Sequence, residues 1–168
     1  MDTGLVLLRL VIGPLMAAHG AQKLFGWFGG YGLTGTGGFF EGLGFRPGRF
    51  FAATASTAEI AGGLLVTFGL LGPVGPALMV SVMIVAAMSV HWPQLFAQNN
   101  GIEVPLLYGA SAAALALTGF GAYSLDNALG LTSLWTPTLT WGVLVIGAIG
   151  GVVNASLRRA PSQSPAHA

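Results

Sequence analysis

The chain has 168 residues, of which 54% are hydrophobic and only 7% are charged. Soluble globular domains carry roughly 25% charged residues, and the mean hydropathy of +0.76 is far above their range. We therefore expect an integral membrane protein of the all-α class. The formal net charge of +1 excludes the basic surface of a nucleic-acid binder. The absence of cysteine excludes disulfides, Cys-ligated zinc, iron–sulfur clusters and thiol nucleophiles.

Five apolar stretches are candidates for membrane-spanning helices, because crossing a bilayer takes ~20 mainly apolar residues. The sequence places them at residues 5–25, 50–71, 74–92, 104–120 and 137–153. The Gly-Pro-Val-Gly-Pro segment 72–76 predicts a short turn, so the second and third helices should be antiparallel neighbours. The Gly-rich segment 29–48 contains phenylalanines and is expected to hold a short interfacial helix.

The positions of lysine and arginine predict the orientation in the membrane. The segment after the first helix carries Lys23, Arg46 and Arg49, and the C-terminal tail carries Arg158 and Arg159, whereas the other connections carry none. With five spans, both basic segments lie on one side. The positive-inside rule then predicts an N-terminus outside and a cytoplasmic C-terminus. We expect a multi-pass protein of the inner (plasma) membrane.

Polar residues are concentrated in the half of the bundle closest to the end of the first helix, which we call the near side. Glu59 is the most informative, because it lies about 13 Å inside its predicted helix. An ionisable group there costs ~2.5–3.5 kcal/mol, so Glu59 must pair with His19 or Lys23, or else stay protonated. Arg9 is close to the opposite, far surface and can snorkel there. The near-side residues are His19, Gln22, Lys23, Glu59, His91 and Glu103.

Ordinary interpretations of the same residues remain open. Lys23 can snorkel, Glu103 can be solvated in its loop, and His91 can lie at the membrane interface. A metal site would need His19, His91 and Glu59 to converge, and no His-x-x-x-His or Glu-x-x-His pair occurs, so no metal is predicted. The near-side aromatics favour a headgroup belt, with a stacking surface for a quinone ring as the alternative; they are Trp27, Phe28, Tyr31, Trp92 and Phe96.

Small residues recur at four-residue spacing, for example Gly147 with Gly151 in the fifth predicted helix. Helices in lipid associate through such close contacts. The pattern predicts packing within one bundle, and a homo-oligomer through the fifth helix is the open alternative.

A run of residues, His19-Gly20-Ala21-Gln22-Lys23-Leu24-Phe25-Gly26, is followed downstream by Ala58-Glu59. Further motifs are Leu8-Arg9-Leu10, Trp27-Phe28-Gly29-Gly30, Gly35-Thr36, Phe39-Phe40, Leu43-Gly44, Gly62-Gly63, Glu103-Val104-Pro105-Leu106-Leu107 and Tyr123-Ser124-Leu125-Asp126. Over about residues 5–126 the chain thereby resembles the DoxX family of small bacterial and archaeal membrane proteins. The resemblance implies a four-helix membrane protein that is a component of oxidoreductases. It also implies links to quinone or sulfur-compound redox chemistry and to oxidative-stress defence.

The predicted organisation follows from this resemblance and from the additional hydrophobic stretch. Residues 1–126 are expected to form a DoxX-like transmembrane four-helix domain, and residues 127–157 a linker and a fifth C-terminal transmembrane helix. Residues 158–168 are expected to be a disordered cytoplasmic tail.

The function expected from the resemblance is that of a membrane subunit of a redox assembly with a polar intramembrane pocket. In this interpretation the catalytic residues are His19, Lys23 and Glu59, and His19 and Glu59 exchange protons as a quinone is reduced or oxidised. Residues that would help to bind a quinone are Arg9, Gln22, Trp27, His91 and Glu103. No redox cofactor of the chain's own is evident, so electrons would come from a soluble or membrane redox enzyme. Whether the chain is itself an enzyme stays open.

Two alternatives come from other features. A small-solute transporter or channel is suggested by the mid-membrane Glu59 and by a faint repeat, in which His19 precedes Glu59 as His91 precedes Glu103. A scaffold that docks soluble redox enzymes would use the loop 29–48 and the tail.

Overall fold

The computed structural model describes residues 2–159, and all regular structure in that range is helical. The predicted tail beyond residue 159 lies outside the described residues. The helices in the described range are α1 (Asp2–Phe25), α2 (Gly32–Gly42), α3 (Gly48–Phe68), α4 (Val74–Ala86), α5 (Glu103–Thr118), α6 (Leu125–Ala128) and α7 (Pro137–Ser156). Helix α4 continues as a π-helical turn, Ala87–His91, and short 3-10 turns occur at Trp27–Gly29, Ala97–Asn99 and Thr132–Leu134.

The predicted spans correspond to α1, α3, α4 with its π-helical turn, α5 and α7. Four of them are long and apolar enough to cross a membrane, whereas α5 has 16 residues and is about 24 Å long. Helix α3 ends before the predicted boundary at residue 71 because Gly69 adopts a left-handed conformation with φ 65°, which commonly ends a helix. The helix predicted within residues 29–48 is present as α2.

Successive long helices alternate in direction across the bundle. Helix α3 packs between α1 and α4, and α4 also contacts α5 and α7. Helix α2 lies on the near side against α3 and α1. The end of α7 lies on the near side as well, as is shown by the hydrogen bond that the Arg159 N–H donates to the Gly44 carbonyl oxygen at 2.9 Å. Both basic segments therefore lie on one side of the bundle, as five spans require.

Glycines allow the helix backbones to touch at two seams. A Cβ added at Gly63 of α3 would lie 2.5 Å from the Gly13 carbonyl oxygen of α1. In α7, Gly147 and Gly151 lie against the carbonyl oxygens of Ala77 and Ser81 in α4. Because lipid supplies no hydrophobic drive between helices, such close backbone contact is what holds them together. The small-residue pair of α7 is thus used for packing inside the chain.

Two buried charged residues fix the loops on the far side. The Asp126 carboxylate accepts hydrogen bonds from the N–H groups of Leu71 (2.8 Å) and Gly72 (2.6 Å), so the start of α6 holds the α3–α4 turn. The Arg9 guanidinium donates to the carbonyl oxygens of Phe120 (2.7 Å), Thr67 (3.2 Å) and Tyr123 (3.2 Å). Arg9 is only 4% exposed.

This arrangement corrects the expectation that Arg9 snorkels to the far surface. The backbone carbonyls in the last turn of α3 have no further helical partners, and those of Phe120 and Tyr123 lie in the α5–α6 connection, so all three are available to the guanidinium. Arg9 therefore ties α1 to the end of α3 and to the α5–α6 connection.

The α1–α3 seam can be tested by adding one methyl group. We expect Gly63→Ala to destabilise the protein by about 1–3 kcal/mol, because overpacking forces the two backbones apart. The measurement is thermal unfolding in detergent. The matched control is Gly142→Ala in α7, where an added Cβ meets no atom within 4 Å and Ala should raise stability by about 0.5–1 kcal/mol. Equal melting temperatures for the two variants would contradict the seam.

Candidate functional site

A cavity of about 950 Å³ occupies the near half of the bundle. Its walls come from α1, α2, α3, α4 with its π-helical turn, and α5, and one residue, Asn154, comes from α7. Small-molecule sites in proteins have volumes of about 300–1,000 Å³ and mostly apolar walls with a few polar groups. The cavity has this character, with five aromatic side chains contributed by the segment 31–51: Tyr31, Phe39, Phe40, Phe45 and Phe51.

An ion pair between α1 and α3 lines the cavity. The Lys23 Nζ lies 2.5 Å from the Glu59 Oε1. Lys23 is in the last turn of α1, where α2 supports it: the Thr36 hydroxyl donates to the Lys23 carbonyl oxygen at 3.1 Å. Glu59 is in the middle of α3 and is 1% exposed, whereas the Lys23 side chain is 28% exposed. The predicted pairing of Glu59 with the first helix is confirmed, and its partner is Lys23.

His19 lines the same cavity without joining the ion pair. It precedes Lys23 by one helical turn on the same face of α1, yet within residues 2–159 its ring makes no hydrogen bond to Glu59. His19 is an exposed residue, since it stands at the accessible wall of the cavity. The imidazole is therefore close to the pair and open to solvent or ligand.

The buried part of the cavity contains two polar atoms without a partner. The Glu59 Oε2 and the Ser89 hydroxyl are both inaccessible, and neither is hydrogen-bonded to any residue in the described part of the chain. Ser89 belongs to the π-helical turn, a geometry that is frequent at functional sites. Both residues line the cavity, so its wall contains two polar groups that no residue in the described range satisfies.

His91 also lines the cavity, at the last residue of the π-helical turn. Its Nδ1 lies 2.8 Å from the Asn100 carbonyl oxygen, so the ring is fixed against the α4–α5 connection. His19, Lys23, Glu59 and His91 are thus the predicted site residues that the structure brings together at one cavity.

The other predicted quinone-binding residues do not line the cavity. Arg9 lies at the far side and binds backbone carbonyls. The Gln22 amide donates to the Phe28 carbonyl oxygen at 3.2 Å, and Trp27 is 59% exposed beside the Phe25 ring. The Glu103 Oε2 accepts from the Ala97 N–H at 2.8 Å and so caps the connection that precedes α5. Each of these side chains has a structural contact instead.

The suggested repeat does not extend to these residues. Glu59 is buried in the middle of α3, whereas Glu103 is the first residue of α5 and contacts a loop. The two His–Glu pairs therefore occupy different levels of the bundle. No group of three or more His, Asp or Glu side chains within residues 2–159 is placed to hold a metal ion.

Sequence reasoning missed several cavity residues. Ser89, Tyr108 and Asn154 line the cavity, yet each stands between two apolar neighbours in the sequence. The signal that could have found them is that they are uncommon polar residues in the near halves of their helices. Nothing in the spacing shows which face of the helix meets the cavity.

The ion pair can be tested by removing its partners separately and together. We expect Lys23→Met to destabilise the protein by about 3 kcal/mol, because it leaves a buried carboxylate without its counter-charge. The double variant Lys23→Met/Glu59→Met should be more stable than Lys23→Met alone. The measurement is thermal or denaturant unfolding in detergent. If the second substitution lowers stability further, the carboxylate does not depend on Lys23.

Comparison with known proteins agrees with this architecture. The DoxX family profile matches residues 4–92, which include α1 to the end of the π-helical turn and both members of the ion pair. The protein named "Putative oxidoreductase CatD" from Bacillus subtilis (strain 168) is 31% identical over 125 residues, covering 74% of this chain and 86% of that protein. No solved structure matches the chain. With four long apolar helices of spanning length around this region, the chain belongs to the DoxX family of helical membrane proteins.

Proposed function

We propose that the chain is the membrane-embedded subunit of a redox assembly and that its near-side cavity binds a quinone. The observation that carries the proposal is the Lys23–Glu59 pair at a large, mostly apolar cavity. The printed name of the relative, "Putative oxidoreductase CatD", supports a redox role for the family region. A charged pair retained inside hydrocarbon is most readily explained by function, because it is costly there.

The cavity residues fit the shape and polarity of a quinone. A quinone has a flat ring with two carbonyl oxygens and an apolar tail, and the aromatic side chains of the segment 31–51 offer surfaces for the ring. Donors for a carbonyl oxygen are available from the Lys23 ammonium, the His19 ring and the Tyr108 hydroxyl. A volume of about 950 Å³ accommodates the ring and the first part of a tail.

A bound quinone supplies the two-electron, two-proton chemistry, and the chain's residues supply binding and protons. His19 stands at the accessible wall, and an imidazole exchanges protons near neutral pH. It can pass a proton between the near-side surface and the Lys23–Glu59 pair. The chain has no cysteine for an iron–sulfur cluster or a redox dithiol. In this proposal the electrons therefore come from a partner enzyme that carries its own cofactor.

The proposed orientation places the cavity on the cytoplasmic side of the plasma membrane. The near side carries Arg46, Arg49, Arg158 and Arg159, and the positive-inside rule assigns that side to the cytoplasm. A soluble redox partner would then meet the near-side loops, among them α2 and the α4–α5 connection.

The quinone proposal is tested by equilibrium binding of a short-chain 1,4-benzoquinone to the protein in lipid nanodiscs. We expect saturable binding that His19→Leu and Tyr108→Phe each weaken about 3- to 10-fold, as the loss of one hydrogen bond implies. Tyr123→Phe is the matched control, because Tyr123 is 70% exposed at the far side. Absence of saturable binding of both the quinone and its hydroquinone to the unaltered protein, or equal binding by all three variants, would refute the proposal.

The proposed orientation is tested with single cysteines, since the chain has none of its own. A membrane-impermeant maleimide added to intact cells or spheroplasts should label Leu129→Cys at the far side. It should label Arg158→Cys only after the membrane is permeabilised. The opposite pattern would reverse the orientation, and labelling of both in intact cells would contradict the placement of these residues on opposite sides.

A further inference from the structure

The carboxylate of Glu59 brings a hydrogen-bond acceptor to the wall of the cavity. Counting 1.5 Å per residue from Gly48, Glu59 lies about 16 Å inside α3. Its Oε1 is paired with the Lys23 ammonium, and its Oε2 is buried without a partner among residues 2–159. As the anion of this ion pair, the carboxylate accepts hydrogen bonds and donates none.

A ligand that contacts the Glu59 carboxylate can satisfy Oε2 by donating a hydrogen bond. An oxidised quinone presents only carbonyl oxygens, so its ring oxygen and Oε2 would be two acceptors facing each other. The reduced form, a hydroquinone, presents two O–H donors, and hydrogen bonds to a charged acceptor are roughly twice as strong as neutral ones. On the basis of the proposed function, we infer that the cavity binds the reduced, dihydroxy form of its aromatic ligand more tightly than the oxidised form.

Neither the Lys23 ammonium nor the Ser89 hydroxyl reverses this preference. The Lys23 ammonium has further N–H donors, but its side chain is 28% exposed whereas Glu59 is 1% exposed. A carbonyl that binds Lys23 therefore replaces contacts with water and gains less. The Ser89 hydroxyl is buried and unpartnered as well within the described range, but a hydroxyl both donates and accepts, so it serves either form equally.

The preference has a consequence for the redox properties of the bound ligand. A site that binds the reduced form tenfold more tightly raises the midpoint potential of a two-electron couple by about 30 mV. The bound ligand is then a better electron acceptor than the same ligand free in the bilayer. This shift is measurable without any partner enzyme.

The test compares a short-chain 1,4-benzoquinone with its hydroquinone, each titrated anaerobically into the unaltered protein in nanodiscs. We expect the hydroquinone to bind at least about tenfold more tightly, with a matching upward shift of the midpoint potential in a redox titration. Equal or tighter binding of the quinone overturns this inference and leaves the proposed function standing. Binding of neither form overturns both.

Glu59→Gln provides the second measurement. In this variant the amide oxygen of the new side chain would face Lys23, so its NH2 group takes the place of Oε2 and turns the acceptor into a donor. We expect the variant to bind the hydroquinone about tenfold more weakly and the quinone at least as tightly as the unaltered protein. Asp2→Asn, the same chemical change at the far side, should leave the ratio unaltered. An unchanged ratio in Glu59→Gln overturns the inference, and the ratio in the unaltered protein decides it even if that variant does not fold.

Discussion

The buried ion pair between Lys23 and Glu59 is the interaction on which the near half of the bundle depends. A carboxylate in the middle of α3 needs a positive partner inside the bilayer, and the last turn of α1 provides it. This requirement places the end of α1 beside the middle of α3. Helix α2 then closes the near side, because Thr36 binds the carbonyl of the same lysine. The cavity and its polar lining follow from this geometry.

The buried charged residues at the two ends of the bundle have different kinds of partner. At the far side, Arg9 donates to three backbone carbonyl oxygens and Asp126 accepts from two backbone N–H groups, so both side chains hold segments of the fold together, although the Arg9 Nε has no partner among residues 2–159. At the near side, Glu59 uses one oxygen for Lys23, and its other oxygen has no partner among residues 2–159. Of Arg9, Asp126 and Glu59, only Glu59 lines the large cavity. An unpartnered acceptor in a residue of the cavity wall leaves a capacity to bind a ligand there.

Hydropathy and spacing in the sequence were enough to predict the five long helices, the α3–α4 turn and the helix within residues 29–48, because bilayer thickness and turn residues are local constraints. The pairing of Glu59 with α1 was also predictable, since few cations are available inside the membrane. The choice of Lys23 over His19 was not, because it depends on side-chain reach across the glycine seam. The role of Arg9 was mispredicted: its partners are backbone carbonyls of distant helix ends, and no side-chain pattern reveals them. Ser89 and Asn154 were missed because the rotation of α4 and α7 about their axes is set by tertiary packing.

The backbone contact at Gly13, Gly20 and Gly63 has a mechanical consequence. At these glycines there is no room for a side chain between helices α1 and α3, so sliding or rotation of one helix against the other would produce steric clashes at this seam. The two helices and their ion pair therefore behave as one rigid unit. If the cavity widens to admit a molecule, the elements outside this rigid unit must move. These elements are α2, α5 and the π-helical turn that follows α4. Of these, α2 has five glycines in eleven residues and so has the lowest intrinsic helix propensity to resist deformation.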